Sequence, residues 1–292
     1  MELSIVIVTY NSAEFIDACL RSVRDVLDGP RGFDHTAAEV CVVDNRSTDD
    51  TVARVRNMHP WVRLVESDRN GGFAHGVNLG LRSTTGACVL WLNPDSRMLT
   101  GTEQGLRSVL DWLHANPTAG VLGGRILNTD GSVQRSVRTF PSYGAVLGAR
   151  YSLLTKLWPQ NPFTRNYLRS DLSYDTIATV DWVSGACLLH RRVVSDQLQG
   201  LDEGYFMYFE DVDFCYRATT AGWTVHFHPG FSIEHHIGGS SEQAPVTMLA
   251  ARHRSMWRWY TKTFTRFWLK DAIVFTGIWM RCGWLSLARM WR

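Results

Sequence analysis

Four short apolar runs, spaced by helix-length segments, constrain this chain more than any other feature. They are Leu3–Thr9, Glu39–Asp44, Val62–Glu66 and Ala87–Leu92, and the last is apolar throughout. Fully apolar runs of this length suit strands buried on both faces, as in parallel sheets. Between them lie helical patterns at about Ala13–Leu27, Thr51–Met58 and Phe73–Thr84. The breakers fall where the alternation needs them: Gly29-Pro30-Arg31-Gly32, the capping stretch Ser47-Thr48-Asp49-Asp50, and Asn70-Gly71-Gly72. Strand–helix alternation at this spacing predicts βαβ units in a doubly wound α/β sheet. A chain of 292 residues, 45% hydrophobic and 20% charged, has the length and composition to bury such a core.

Open α/β sheets bind ligands beyond the carboxyl ends of their strands. The residues there are Thr9-Tyr10-Asn11, Asp44-Asn45, Asp68-Arg69-Asn70 and Asn93-Pro94-Asp95. Any one of these is an ordinary turn; four in succession at one sheet edge outline a polar site. The first strand leads into Thr9-Tyr10-Asn11-Ser12 with no G-x-G-x-x-G, and no GxxxxGK[ST] occurs. A bound nucleotide would therefore be gripped by side chains and a cation, not by a glycine cradle. Asp44 is suited to accept hydrogen bonds from a pyrimidine edge.

Beyond Gly101 the pattern blurs. A helix is expected over Gly101–Ala115, then an apolar stretch Gly120–Ile126 and a turn at Asn128–Gly131. Residues 135–178 lack periodicity and resemble a long lid-like excursion. Asp181–Leu189 and Gly222–His228 read as two more strands. Between them stands YFMYFEDVDFCYR, Tyr205–Arg217, where an aromatic wall runs into Glu210, Asp211 and Asp213. Carboxylates in a first helical turn also complement the helix dipole. Their company is what points to chemistry: Asn93-Pro94-Asp95 closes one apolar run and His235-His236 closes another. Acids and imidazoles at the ends of separate elements suit metal-dependent transfer, with Asp211 as general base acting on a nucleotide-activated sugar.

The strings IVIVTYNS, VVDNRSTDDT, NGGFAHGVNLGL, LWLNPDS, WVSGACLLHRRVV, GLDEGYFMYFEDVDFCYRATTAGW and HHIGGSS cover most of residues 3–241. In that order the chain resembles the family 2 glycosyltransferases, and within them bacterial rhamnosyltransferases. The resemblance implies a GT-A fold: a Rossmann-like, mixed but mostly parallel sheet flanked by helices. It implies inverting transfer of L-rhamnose from a dTDP-sugar donor, dTDP-β-L-rhamnose, to polyprenyl-diphosphate-linked N-acetylglucosamine in cell-wall linker synthesis. Asp44 then matches the residue that reads the nucleobase, with Thr9 and Asn11 lining its pocket. Tyr10, Asn45, Ser47, Arg69, Asn70, Gly71 and Asn78 fall in the same nucleotide-sugar motifs. Asn93 and Asp95 fall on the family's DxD position, where Asp95 and His235 would meet Mg²⁺ or Mn²⁺. Asn93 departs from the pattern, so the ion would bind mainly once donor phosphates supply oxygens. His236 is expected to be structural. Trp182, Ser184, Gly185 and Glu210 fall where the family shapes the acceptor and sugar pocket, and Asp211 matches the catalytic base.

Inverting transfer needs a carboxylate at the acceptor hydroxyl, on the face opposite the leaving group. Asp211 and the cation are therefore expected to flank one sugar carbon. Another donor such as UDP-galactofuranose would use the same residues. A catalytically silent carbohydrate- or lipid-binding scaffold would not need Asp44, Asp95, Asp211 and His235 together. A nucleotidyltransferase would want a glycine-rich, lysine-bearing loop after the first strand.

After residue 246 the composition shifts, so residues 1–246 read as the transferase domain and 247–292 as appended amphipathic helices. From Arg252 onward there are nine Lys or Arg and one acid, Asp271. Arg254, Arg258, Lys262, Arg266 and Lys270 recur every fourth residue, opposite Trp257, Tyr260, Phe264, Phe267 and Trp268. The uncharged runs are shorter than the ~17–25 residues of a spanning helix. An anionic membrane surface is the partner expected for 252–292, and no nucleic-acid motif accompanies the basic stripe. The six cysteines include no CxxC pair, and Met1 leads straight into a strand with no signal-peptide pattern. Buried free thiols and a cytoplasmic protein, peripheral on the inner membrane face, are the expectation.

Overall fold

Every residue of β1 (Leu3–Thr9) is buried, and its side chains divide by parity between two cores. Successive strand residues point to opposite faces. Leu3, Ile5 and Ile7 face α1 (Ile16–Asp28) and α4 (Gly105–Ala115), whereas Val6 and Val8 face α3 (Gly72–Arg82). β4 (Cys88–Leu92) repeats the division: Leu90 and Leu92 join the first core, Val89 and Trp91 the second. Helices on both faces are why these strands read as unbroken apolar runs. Gly76 and Gly80, four apart on α3, let it close on the sheet. A Cβ at either would come within 2.4 or 2.3 Å of Val8 or Val6.

The computed structural model describes residues 1–29, 37–99, 105–142, 157–158, 161–169, 172–236 and 245–290. β2 (Ala38–Asp44) and β3 (Arg63–Glu66) add in parallel on one side of β1, joined by α2 (Thr51–Met58). The remaining strands are β5 (Ser96–Met98), β6 (Ala119–Leu127), β7 (Val133–Gln134), β8 (Val137–Arg138), β9 (Ala178–Thr179), β10 (Trp182–Val183), β11 (Cys187–Arg191) and β12 (Thr224–His235). The main sheet runs β3-β2-β1-β4-β11-β6-β12-β5, with β7 on β6 and β9 on β12. β11 lies antiparallel to both β4 and β6. The sheet is thus the mixed, mostly parallel one expected.

Three expectations need correction. Asp181–Leu189 is not one strand. β10 pairs with β8 in a separate two-stranded sheet, and the chain breaks at 184–186 before β11 enters the main sheet. There Ser184 donates its N–H to Ser136 and its carbonyl accepts from Cys187. The strand expected to stop at His228 continues to His235, its register shifting between Phe227 and Ser232. Residues 135–178 are also more regular than their sequence suggests. They hold β8, β9 and α5 (Pro162–Tyr167), which starts on the Asn161 cap with Pro162 at its first turn. The stretches 143–156, 159–160 and 170–171 of the expected lid, and 101–104 of the expected helix, lie outside the described residues.

α6 (Arg192–Leu198) follows β11, and α7 (Glu210–Thr220) begins on the acidic motif. The tail forms α8 (Pro245–Thr263) and α9 (Trp268–Met290). α8 belongs to the second core through buried Trp259, which packs among Phe140, Phe209 and Tyr216. The basic stripe expected to face lipid is largely committed elsewhere. Arg258 and Lys262 pair with Asp202, Lys262 also with Asp213, and Arg266 with Asp271. α9 is different: Trp268, Ile273, Met280 and Trp284 are each at least 65% exposed. No described helix is long and apolar enough to cross a membrane. All six cysteines are buried free thiols, as expected.

Candidate active site

The carboxyl ends of β1 and β2 are in register, Thr9 beside Asp44, and the two side chains bond. Asp44 Oδ1 accepts from Thr9 Oγ1 at 3.0 Å and Ser47 Oγ at 2.5 Å, and Oδ2 accepts from Ser47 N–H at 2.7 Å. One acceptor position on Oδ2 remains for a ligand. Asn11, with a left-handed φ of 49°, donates its N–H to Ser47 Oγ and accepts from Thr48 N–H. Asn45 reaches across to the Gly72 carbonyl, leaving its Oδ1 buried without a protein partner among the described residues. Tyr10 and Arg69 stand exposed at the rim, and Asn70 caps Gly72 N–H. Gly71 has a packing reason, since a Cβ there would strike His75. Asn78 is used differently from the rest. Its amide donates to Leu201 O and Glu203 Oε1 and accepts from Leu201 N–H, fastening that turn.

At the end of β4, Asn93 and Asp95 meet the end of β12. His235 Nε2 lies 3.3 Å from Asp95 Oδ1 and 3.3 Å from Asn93 Nδ2. On its other side His235 Nδ1 lies 3.0 Å from Gln134 Oε1. With the ring proton on Nδ1, toward Gln134, Nε2 would carry a lone pair. The Nε2 lone pair and a carboxylate oxygen then face one another, an arrangement of two ligand atoms that fits a divalent cation. Among the described residues no group of three or more His, Cys, Asp or Glu is arranged to hold a metal. A cation here would need further oxygens from substrate or water. His236 is not part of this pair. Its N–H bonds the Asp95 carbonyl and its ring lies against Phe15, beside a cavity of about 200 Å³.

Because β11 is antiparallel to β4, Cys187 lies opposite Leu92 and the 184–186 turn arrives beside Asn93. Asn93 N–H donates to Ala186 O at 3.2 Å. Next along, Gly185 N–H donates to Asp211 Oδ2 at 3.0 Å, while Val212 N–H donates to Oδ1 at 2.8 Å. One turn of chain thus links the DxD-like residues to the acidic motif. Burial pushes the Asp211 carboxyl above the ordinary aspartate value, against the pull of the Gly185 and Val212 N–H groups and the Arg138 charge. Glu210 is buried more deeply, with Oε2 unpartnered among the described residues. Burial first, and then the Asp211 charge, push it well above the usual carboxylate range. Neighbouring carboxyls driven upward in this way suit one holding a proton while the other is ionised. Asp213, third of the motif, is taken out of contention. It is buried and bound by Arg217 at 2.7 Å and Lys262 at 2.6 Å.

Ser184 braces the turn, its Oγ accepting from Ala186 N–H. Trp182 is buried, its indole N–H donating to Thr139 O and its ring lying under the Arg138 guanidinium. Arg138 and Gln134 were not singled out from the sequence. Arg138 sits in the aperiodic stretch and Gln134 just before it, where only a basic and an amide side chain among many give any signal.

The Glycosyl transferase family 2 model matches residues 4–194, and the chain belongs to that family. Over 277 residues it is 33% identical to the N-acetylglucosaminyl-diphospho-decaprenol L-rhamnosyltransferase of Mycobacterium tuberculosis, covering 91% of this chain and 86% of the relative. It is 29% identical over 221 residues to the low-salt glycan biosynthesis hexosyltransferase Agl10 of Haloferax volcanii, covering 74% and 61%. Its fold is shared with the mannosyltransferase PcManGT of Pyrobaculum calidifontis, solved with GDP-Man and Mn²⁺. The TM-score there is 0.57 at 19% identity, over 95% of this chain and 69% of that one. The chain is a GT-A glycosyltransferase.

Proposed function

We propose that this transferase moves L-rhamnose, with inversion, from dTDP-β-L-rhamnose to polyprenyl-diphosphate-linked N-acetylglucosamine. Its Mycobacterium tuberculosis relative is named for rhamnosyl transfer to a decaprenyl-diphosphate-linked N-acetylglucosamine, and the similarity spans nearly all of both chains. The observation that carries the chemistry is the bridge from Asn93 through Ala186 and Gly185 to Asp211. It joins a cation-binding pair to a shielded carboxylate. As the acceptor hydroxyl attacks the anomeric carbon, Asp211 takes its proton. The bond from that carbon to the diphosphate oxygen breaks, and the nucleoside diphosphate leaves with the electron pair. Gly185 and Val212 N–H groups hold the carboxylate in place, each leaving a lone pair for the incoming proton. Asp95 and His235 would hold Mg²⁺ or Mn²⁺, which supplies charge neutralisation for the departing diphosphate. Asp44 and Thr9 shape the nucleobase end, with Tyr10, Asn11, Ser47, Arg69 and Asn70 around it.

The exposed apolar side of α9, running through Leu269, Ile273, Met280, Trp284 and Leu287, supports seating on an anionic membrane where such an acceptor resides. The test is a donor screen of dTDP- and UDP-sugars with a short-chain lipid-diphosphate N-acetylglucosamine, with and without Mg²⁺ or Mn²⁺. dTDP-rhamnose is expected to give product and UDP-galactofuranose none. The reverse outcome would reassign the donor. Vesicle binding is expected to weaken with salt and with Trp284→Ser, and insensitivity to both would remove the membrane surface.

A further inference from the structure

Tyr208 and Phe209, immediately before the acidic motif, both hold left-handed backbone, with φ of 67° and 70°. Non-glycine residues in that region are strained and persist only where surroundings impose them. On one side the imposing contact comes from α3. Phe73 N–H donates to Phe206 O at 2.9 Å, with Gly72 at φ 83° providing the close approach.

The other restraints come from α8. Ser255 Oγ donates to Met207 O at 2.8 Å. Trp259, itself buried, packs against Phe209 on the far side of the corner and Tyr216 beyond it. Arg258 and Lys262 lie over the buried ring of Tyr205 at 5.3 and 5.7 Å. Lys262 also joins Asp202 at 2.8 Å to Asp213 at 2.6 Å. Those two acids bracket the corner in sequence. Burial would push the Asp202 carboxyl up, yet the Lys262 and Arg258 bonds hold it down at about 2. α8 therefore grips the segment 202–213 before, within and after its strained turn.

We infer that Ser255, Trp259 and Lys262 of α8 are positioning residues, holding the Tyr205–Phe209 corner so that Asp211 meets the Gly185 turn. This rests on Asp211 as the base. Misplacement of about 1 Å costs on the order of a hundredfold in rate, so loosening the corner acts on the chemical step and spares the nucleotide end.

The test uses full-length Lys262→Met, Lys262→Arg and Ser255→Ala. Readouts are kcat and KM with dTDP-rhamnose, dTDP affinity by calorimetry, and hydrogen exchange at the Phe73 and Asp213 amides, whose acceptors are Phe206 and Phe209. Lys262→Met is expected to lower kcat roughly tenfold or more, leave dTDP affinity unchanged, and speed exchange at both amides. Lys262→Arg is expected to restore most of the rate. Unchanged kcat in Lys262→Met and Ser255→Ala, or kcat falling with exchange unaltered, or with dTDP affinity falling alongside, overturns the inference. Should Lys262→Met fail to fold, Ser255→Ala decides by the same readouts. Wild-type kcat in Asp211→Asn would instead remove the base and with it the catalytic consequence, while the exchange data still report the grip.

Discussion

Asp95 stands just past the end of β4 and Asp211 in the first turn of α7, one buried and the other half-buried, and their surroundings differ. Asp95 faces the His235 ring, which in turn meets the Asn93 amide on the same nitrogen and Gln134 on the other. Asp211 is met by two backbone N–H groups, a second carboxyl beside it and the Arg138 charge nearby. On the proposed reading, Asp95 and His235 would hold a cation. Burial makes ionisation of Asp211 less favourable while two N–H groups fix its direction, which suits the base role proposed for it. The same side chain thus acquires its role from what surrounds it, as paired carboxyls in other enzymes do.

The sharpest way to break this contrast is Asp211→Asn. Steady-state kinetics are expected to show kcat down roughly 10²–10⁴-fold with dTDP affinity kept. Asp95→Asn should do the opposite, raising donor KM and the metal concentration for half-activity by about 10–100-fold. If both variants lose only kcat, the two carboxylates are not distinct in role. Gln134→Leu is a smaller perturbation of the Asp95 end. Freeing the His235 ring should weaken metal activation at the low end of that range, about tenfold, without moving the pH profile.

The acid side of that profile belongs to Asp211. Its raised value means that ionised base is lost as pH falls through a point above the ordinary ~3.9 for aspartate, and kcat/KM should fall there. Glu210 adds a stability effect of definite sign. Its folded-state value is raised, so the native state keeps a proton that the unfolded chain releases, and stability drops as pH rises past the unfolded value of ~4.3. Glu210→Gln should remove that loss. Its advantage in thermal melts should be absent near pH 4 and grow by up to about 1.4 kcal/mol for each pH unit above. An advantage independent of pH would show that Glu210 ionises normally.

Much of the first half of the fold was legible because it obeys local rules. Apolar runs became β1, β2 and β4, and the polar residues Thr9, Asp44 and Asp95 stand at or just past their carboxyl ends. The Asp95–His235 pairing depended on the family resemblance, since 140 positions of sequence separate them and no spacing rule joins them. Arg138 and Gln134 were hidden because β7 and β8 are two residues each, too short to show a period. The tail misled for a different reason. A basic stripe on a helix looks the same whether it meets lipid or acid. Only three-dimensional placement of Asp202 and Asp213 shows that Arg258 and Lys262 of α8 pair with the protein, while α9 turns large apolar side chains outward. Asn78 was read from its motif as a ligand residue, but its amide is occupied by the Leu201–Glu203 turn.

The reversed direction of β11 carries a further consequence. Had that strand run with β4, its exit would have arrived at the ligand edge, and residues 184–186 would lie at the far end of the sheet. Reversal delivers its entrance there instead. The Asp44 and Asp95 end is therefore built mainly from residues 3–95, joined by Gln134 and His235, whereas the Asp211 end draws on Arg138, the 184–186 turn and the start of α7. Sequence change around the 184–186 turn can therefore alter what meets Asp211 without touching the Thr9–Asp44 end.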